Sequence, residues 1–414
     1  MKKILILLDS IDPNDSSGVK GRLALINNLV KIGHQVKIIH LDENYTNDVS
    51  FQAEVSGRSF LSSYLWLTKL NTFVKKLNIK LNKWVEPQFG FSFSHYEDVA
   101  RFKKALTREN PDHYDIVFTL SKAASFRPHK AVLESPKWHS KWYAYVHDPY
   151  PFHCYPRPYD WIGPGDNQKM RFMKQVFKKA TYVSFPSNLL AEWMCSYYPV
   201  NKHKIKIIPH QIDSNLKAQK ENLPHDFDLK KVNLLYAGAL LGHRPLKALL
   251  ISYKQLLEQS LIPKNTVLWF VGGGLNDFRA QIEEIKGTFP DNIKTLSQVK
   301  FEVAFAMQNF AEINIVIESN SYISPFLPGK LPHLIQANKP ILHIGPVLSE
   351  VSNLLDGENF FLTLTHQEIK KQKELLADFI NTKNHLNLGN LNNFSEELLQ
   401  YFSVEKLKNI IEID

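Results

Sequence analysis

The chain is poor in cysteine, in long apolar runs and, over one stretch, in acid. Its 414 residues hold two cysteines, Cys154 and Cys195. Two thiols make no disulfide framework, which excludes the small stapled secreted scaffolds. No apolar run is long enough to cross a membrane. The opening "MKKILILLDS" is apolar only as far as Asp9. That is too short for the core of a secretory signal and suits a buried strand, so the expected location is the cytoplasm. There is no low-complexity tract, zinc knuckle, RNA-binding signature or basic helical repeat, and nucleic acid is not an expected partner. Between Glu54 and Glu86 there is no acidic residue, while Arg58, Lys69, Lys75, Lys76, Lys80 and Lys83 alternate with Leu65, Trp66, Leu67, Leu70, Phe73, Leu77 and Trp84. Residues 58–84 therefore read either as a core-facing helix with a solvated basic face or as a segment lying on an anionic membrane.

The rest of the composition is that of a globular protein, 44% apolar and 22% charged, and the length suggests two domains. The formal charge of +9 favours anionic partners. Lys3–Leu8 is an apolar strand, "RLALINNLVKIG" has helical spacing, and "HQVKIIHL" is a strand again. Further strands are expected in 114–120, 141–148, 180–187 and 203–213. A polar stretch, 214–231, reads as a linker. After it the alternation restarts with "VNLLYAG", "RPLKALLISYKQLLEQ", "TVLWFVGGG", "LNDFRAQIEEIKG", "EINIVIES" and "KPILHIG". This is an α/β chain of two Rossmann-like domains with largely parallel sheets. The expected bounds are 1–213, 214–392 and a C-terminal helical tail, 393–414. Ligands of such sheets bind at the carboxyl ends of strands. That rule selects the Asp12–Gly21 loop, His147 and Asp148, Gly238 to Lys247, Gly272 to Gly274, and Ser319 to His333.

Within those stretches, Gly18 could let a ligand approach the backbone. His147 is a polar group at a strand end, suited to touch a hydroxylated substrate or to take a proton, or else a structural histidine. His147, His153 and Cys154 fit no standard metal spacing. Arg244 offers a planar fork to phosphate oxygens beside Pro245 and Lys247 at a helix start. Lys330 and His333 sit in the first turn of another helix, after Pro328 and Gly329. The "HDFD" at His225–Asp228 is linker charge.

In their order and spacing, the strand-one loop with Gly18, "LVKIGHQVKII", "HDPYP", "YAGALLGHRP", "LWFVGGG" and "PGKL…NKPIL" resemble the GT-B fold glycosyltransferases of the retaining family 4-like group. The resemblance implies two Rossmann-like domains facing across a cleft and no catalytic metal or other cofactor. It implies a nucleotide-sugar donor on the second domain, near Gly18, Gly238, Arg244, Lys247, Gly272, Gly273, Lys330 and His333. Arg244 would meet the diphosphate, with Lys247 or Lys330 as a second cation. His147 and Asp148 would stand near the transferred sugar. A glycan, lipid-linked or protein-linked acceptor on the first domain would meet Tyr150 and Phe152. The C-terminal helix would cross back onto the first domain, and the basic segment would hold the enzyme peripherally on the inner membrane face. One departure stands out: the glutamate expected to hold the donor ribose is His333 here, its upstream partner is Pro325, and Glu318 could take over the ribose. A nucleotide-sugar epimerase of the same fold and an inactive glycan- or nucleotide-binding module are the alternatives.

Overall fold

The computed structural model describes residues 1–12, 17–43, 51–58, 62–78, 81–212, 216–240, 243–358, 361–385 and 394–412. The expected boundaries at 213/214 and 392/393, together with Lys80, Leu241 and Gly242, lie outside the described residues.

Two parallel sheets carry the chain. The first holds β1 (Lys3–Leu8), β2 (Gln35–His40), β3 (Gln52–Val55), β4 (Ile116–Leu120), β5 (Trp142–Tyr145), β6 (Tyr182–Phe185) and β7 (Ile205–Ile207), in the order β3-β2-β1-β4-β5-β6-β7. The second holds β8 (Val232–Ala237), β9 (Thr266–Val271), β10 (Ile293–Leu296) and β11 (Ile313–Ile317). A short β12 (Ile323–Ser324) stands outside it and pairs with β14 (Leu348–Ser349). With β13 (Ile341–Ile344) and β15 (Phe361–Leu364), the second sheet runs β10-β9-β8-β11-β13-β15. Strand order reverses between β1 and β4 and between β8 and β11, and such reversals open the crevices where α/β proteins bind ligands.

The continuous apolar runs arise because both faces of each sheet are covered. Ile4, Ile6 and Leu8 pack with Leu25, Ile26 and Leu29 of the helix Ser17–Lys31. Leu5 and Leu7 point the other way, toward Val99 and Phe102 of the helix Phe93–Leu106. In the second sheet Leu234 and Tyr236 meet Leu249, Leu250 and Tyr253 of the helix Lys247–Glu258, while Leu235 and Ala237 meet Met307.

The sequence reading differs from the structure in three places. The first long helix begins at Ser17, so Gly18 and Gly21 belong to it and not to the preceding loop. The weakly apolar β3 and β10, and the two-residue β12 and β14, gave no period to read. The tail is two helices: Leu398 of Glu396–Tyr401 stays with Leu331 and Leu334 of the second domain, and Leu407 and Ile411 of Val404–Glu412 join the core around Ile4 and Ile26. Lys2 Nζ donates to the Ile411 carbonyl at 2.6 Å on that face.

The domains also meet where helix Asn188–Tyr197 begins. Its N-cap Ser187 accepts from Leu190 N at 3.2 Å and donates to the Pro325 carbonyl at 2.8 Å. The buried carboxylate of Glu350 accepts from the amides of Asn188 at 3.2 Å and Leu189 at 3.0 Å. A second-domain side chain thus helps to cap a first-domain helix, where an acceptor is needed.

Candidate functional site

In the second domain the exits of β8 and β9 interlock through glycine. Gly238, Gly272 and Gly274 have φ of 148°, 132° and 89°. A Cβ on Gly272 would lie 2.4 Å from the Gly238 carbonyl oxygen, and one on Gly274 only 2.0 Å from that of Leu240. Gly273 has open space around it. Gly272→Ala is therefore expected to cost at least ~1–3 kcal/mol of stability through its forced backbone, while Gly273→Ala stays within about 0.5 kcal/mol of the parent. Urea unfolding of the two variants side by side checks this.

Two cations stand at the same strand end. Lys330 follows the Pro328-Gly329 turn, and its Nζ donates to the Ala237 carbonyl at 3.2 Å and lies 4.0 Å from the centre of the Tyr236 ring. Gly238 is beside it: a Cβ there would be 3.8 Å from Lys330 Nζ. Arg244 Nη1 donates to the Ala239 carbonyl at 3.2 Å, which also accepts from Tyr236 Oη at 3.2 Å. Arg244 Nε is buried without a partner among the described residues. Burial first, and then the charge of Arg244, push the Lys330 amine down to about 7, with Glu318 opposing. Lys247 is exposed at the first position of its helix and makes no ion pair among the described residues.

Glu318, 4% exposed, is not free to hold a ribose. Its Oε1 accepts from Ser324 Oγ at 2.7 Å and its Oε2 pairs with His343 Nε2 at 2.8 Å. The carboxylate is turned into the second sheet, which corrects the expectation that it could replace the missing ribose glutamate. His333 lies edge-on to Phe301 and Phe305, with ring centres 5.6 Å away in both cases.

The first domain supplies the facing half. After β1, the Asp9 carboxylate accepts from Lys122 N at 2.7 Å, Ser125 Oγ at 2.9 Å and Arg127 Nη1 at 3.2 Å, and so ties down the loop that leaves β4. After β5, His147 Nε2 lies 3.3 Å from Asp148 Oδ2 and its Nδ1 3.4 Å from Ser121 Oγ. Burial, with the charges of Arg22, His210 and His129 behind it, pushes His147 down to about 3, and burial pushes the Asp148 carboxyl up to about 7. At neutral pH His147 is an uncharged donor or acceptor beside a carboxyl group poised to hold or release a proton.

Arg22 and His210 were not among the expected site residues. Arg22, from the first helix, donates from Nη1 to the Ser121 carbonyl at 2.8 Å. His210 hydrogen-bonds the Leu327 backbone of the second domain, and it is pushed down to about 4 by burial, then by Arg22 and His333. His210 thus joins the His147 side of the cleft to the second domain through the Leu327 backbone. His210 lies just past β7, where the strand-end rule could have found it. Arg22 lies one residue beyond the stretch that rule selected. Gly18 is in the first turn of the same helix, its would-be Cβ 3.3 Å from Arg22 Nη1. Lys20 of that helix reaches across too, its Nζ 4.3 Å from the centre of the Phe301 ring.

The two aromatic residues expected to meet the acceptor part company. Tyr150 is 2% exposed and packs into the core against Phe126 at 4.5 Å, so it is corrected from acceptor contact to packing. Phe152 is half-buried beside Trp161 at 5.8 Å, in a cluster whose Tyr155 and Tyr159 rings touch Phe326 and His243 of the second domain. His153 pairs with Asp166 at 2.5 Å, and among the described residues no group of three or more His, Cys, Asp or Glu is arranged to hold a metal ion.

Known proteins share this architecture. Residues 23–216 match the family model described as Glycosyltransferase Family 4. Alr3699/HepE from Anabaena, solved in complex with UDP and glucose, is 14% identical with a TM-score of 0.60, over 99% of this chain and 98% of that one. Sucrose-phosphate synthase from Thermosynechococcus elongatus is 14% identical with a TM-score of 0.61, over 100% and 99%. WaaG, a glycosyltransferase involved in lipopolysaccharide biosynthesis, is 12% identical with a TM-score of 0.56, over 99% of both chains. No curated protein matches the sequence. At such identities the overlays speak for the fold alone, and the family model reaches over residues 23–216. The chain has the fold of the GT-B glycosyltransferases, and residues 23–216 of it match the Glycosyltransferase Family 4 model.

Proposed function

We propose that the chain moves a sugar from a nucleotide-sugar donor to a glycan, lipid-linked or protein-linked acceptor, without a catalytic metal and with retention at the anomeric carbon. The observation that carries this reading is the pair Arg244 and Lys330, two cations with no carboxylate partner among the described residues, gathered around Gly238 at the end of β8. When a sugar–phosphate bond breaks, negative charge grows on the departing diphosphate while the sugar becomes cation-like. Fixed cations stabilise that charge in the transition state more than in the bound donor. Arg244 offers its fork to the phosphate oxygens, and Lys330 supplies a point charge from below. The interlocked glycines let the diphosphate come close to the backbone.

Across the cleft, neutral His147 is placed to hydrogen-bond a sugar hydroxyl, and Asp148 to take up or return a proton near neutral pH. His333, in the helix start after Lys330, stands in for the usual ribose carboxylate, since an uncharged imidazole nitrogen can still accept from a hydroxyl. UDP is the first nucleotide to try, because the Anabaena protein of the same fold was solved with it.

The test is incubation with UDP-, GDP- and dTDP-sugars, with and without glycan acceptors and with a chelator present. Nucleoside diphosphate released only with acceptor, and a product whose anomeric signal matches the donor, is the expected result. A changed sugar on an intact diphosphate would make the chain an epimerase, and binding without turnover would make it an inactive module.

A further inference from the structure

We infer that the helices Ser63–Lys76 and Asn82–Phe89 form a docking surface for the anionic face of a lipid bilayer. The first helix is held by one side. Leu65 is buried, the Ser62 hydroxyl caps the start by accepting from Leu65 N at 3.3 Å, and Tyr64 stacks on Tyr96 at 5.4 Å. The other side carries exposed apolar side chains. Trp66, Leu70, Phe73 and Leu77 recur at i, i+4, i+7 and i+11, which puts them on one face, and they are 59%, 49%, 63% and 62% exposed. The second helix buries none of its side chains. Its Trp84 and Phe89 are 74% and 59% exposed. Gln168 tethers this helix through the carbonyls of Pro87 and Gln88, at 2.9 and 2.8 Å. Large exposed apolar side chains grouped in this way mark a binding face.

Charge decides the occupant. Lys69, Lys75, Lys76 and Lys83 are exposed on these helices. Lys75, Lys76 and Lys83 make no ion pair among the described residues, and no acid occurs between Glu54 and Glu86 to neutralise them. A second copy of the chain would set lysine against lysine. An anionic bilayer instead takes the ammonium groups at phosphate level and the tryptophan rings at the interface. Among the described residues no helix is long and apolar enough to cross a membrane, so these helices would lie on the surface. The surface belongs to the first domain, where the proposed acceptor binds, which suits a lipid-linked acceptor.

The full chain is sedimented with vesicles of phosphatidylglycerol and phosphatidylcholine in equal parts, and with phosphatidylcholine alone. Expected is binding to the anionic vesicles, weaker by about tenfold or more on neutral ones and at high salt. Phe73→Glu with Trp84→Glu should lose about tenfold or more on the anionic vesicles, since charge replaces apolar insertion. Lys69→Gln, Lys76→Gln and Lys83→Gln together should erase the preference for anionic lipid. Failure to sediment, equal binding to both compositions, or a solution dimer dissolved by Phe73→Glu would overturn the inference. UDP affinity, read on the same variants, should not move. Vesicle binding without sugar transfer would count against the proposed function and leave this surface standing.

Discussion

Arg244→Ala is expected to cut sugar transfer by about 10²–10³-fold, the usual loss when one fixed donor to a developing negative charge is removed. The thermal midpoint should barely move. The side chain is half-buried and donates to a neutral carbonyl, that of Ala239, a hydrogen bond worth ~1 kcal/mol net. Lys330→Met should lose as much rate. It keeps the apolar stem against Tyr236 and removes a charge whose burial is unfavourable, so stability near pH 6 should hold or rise. On the proposal that both cations serve one diphosphate, the double variant should lose less than the product of the two single losses. Initial rates beside thermal melts decide the matter. Transfer within about threefold of the parent in either single variant would remove that residue from the transition state.

Donor affinity should fall steeply above pH 7. The Lys330 amine, held at about 7 in the empty protein, is half neutral there. A bound diphosphate favours the charged form and raises that value, so binding above pH 7 requires proton uptake. Each pH unit then costs up to tenfold, ~1.4 kcal/mol, until the pKa of the complex is reached. UDP affinity should drop toward ~10²-fold between pH 7 and about 9, and Lys330→Met should flatten the profile. The stability of the empty protein runs the other way. Unfolding returns the lysine to its ordinary 10.5, so between 7 and 10.5 the unfolded chain binds more protons and this group's contribution grows more favourable as pH rises. Below 7 the full cost of burying the charge remains. Isothermal titration against pH, with melts of the unliganded protein, reads both slopes. A flat affinity profile in the parent would show that Lys330 does not meet the phosphates.

The strands that the sequence made legible are those buried on both faces. β1, β8, β9 and β11 are largely apolar runs, with Asn233 and Asn314 the polar interruptions of β8 and β11, because helices cover each sheet twice. The carboxyl ends of β8 and β9 led directly to Gly238, Arg244 and Gly272, and that of β5 led to His147. β3 was invisible because an edge strand reading Gln-Ala-Glu-Val owes its place to backbone pairing with β2 and not to apolar period. Side-chain direction was equally hidden. Nothing in the sequence distinguishes Tyr150, which turns into the core, from Phe152 two residues on, which packs at the domain junction. Glu318 follows a strand just as His147 does, yet His343 on the neighbouring strand β13 claims its carboxylate. Such pairings are set by which strands are neighbours, and that depends on the whole topology.

Glu350 gives the two domains a shared fastening with mechanical meaning. Its carboxylate holds the amides of Asn188 and Leu189, and Ser187 holds Pro325 beside it. Pulling the domains straight apart would break both charged hydrogen bonds, at ~1.5–3 kcal/mol each. Substitutions at Glu350 would remove a fastening shared by the two domains without touching Arg244 or Lys330.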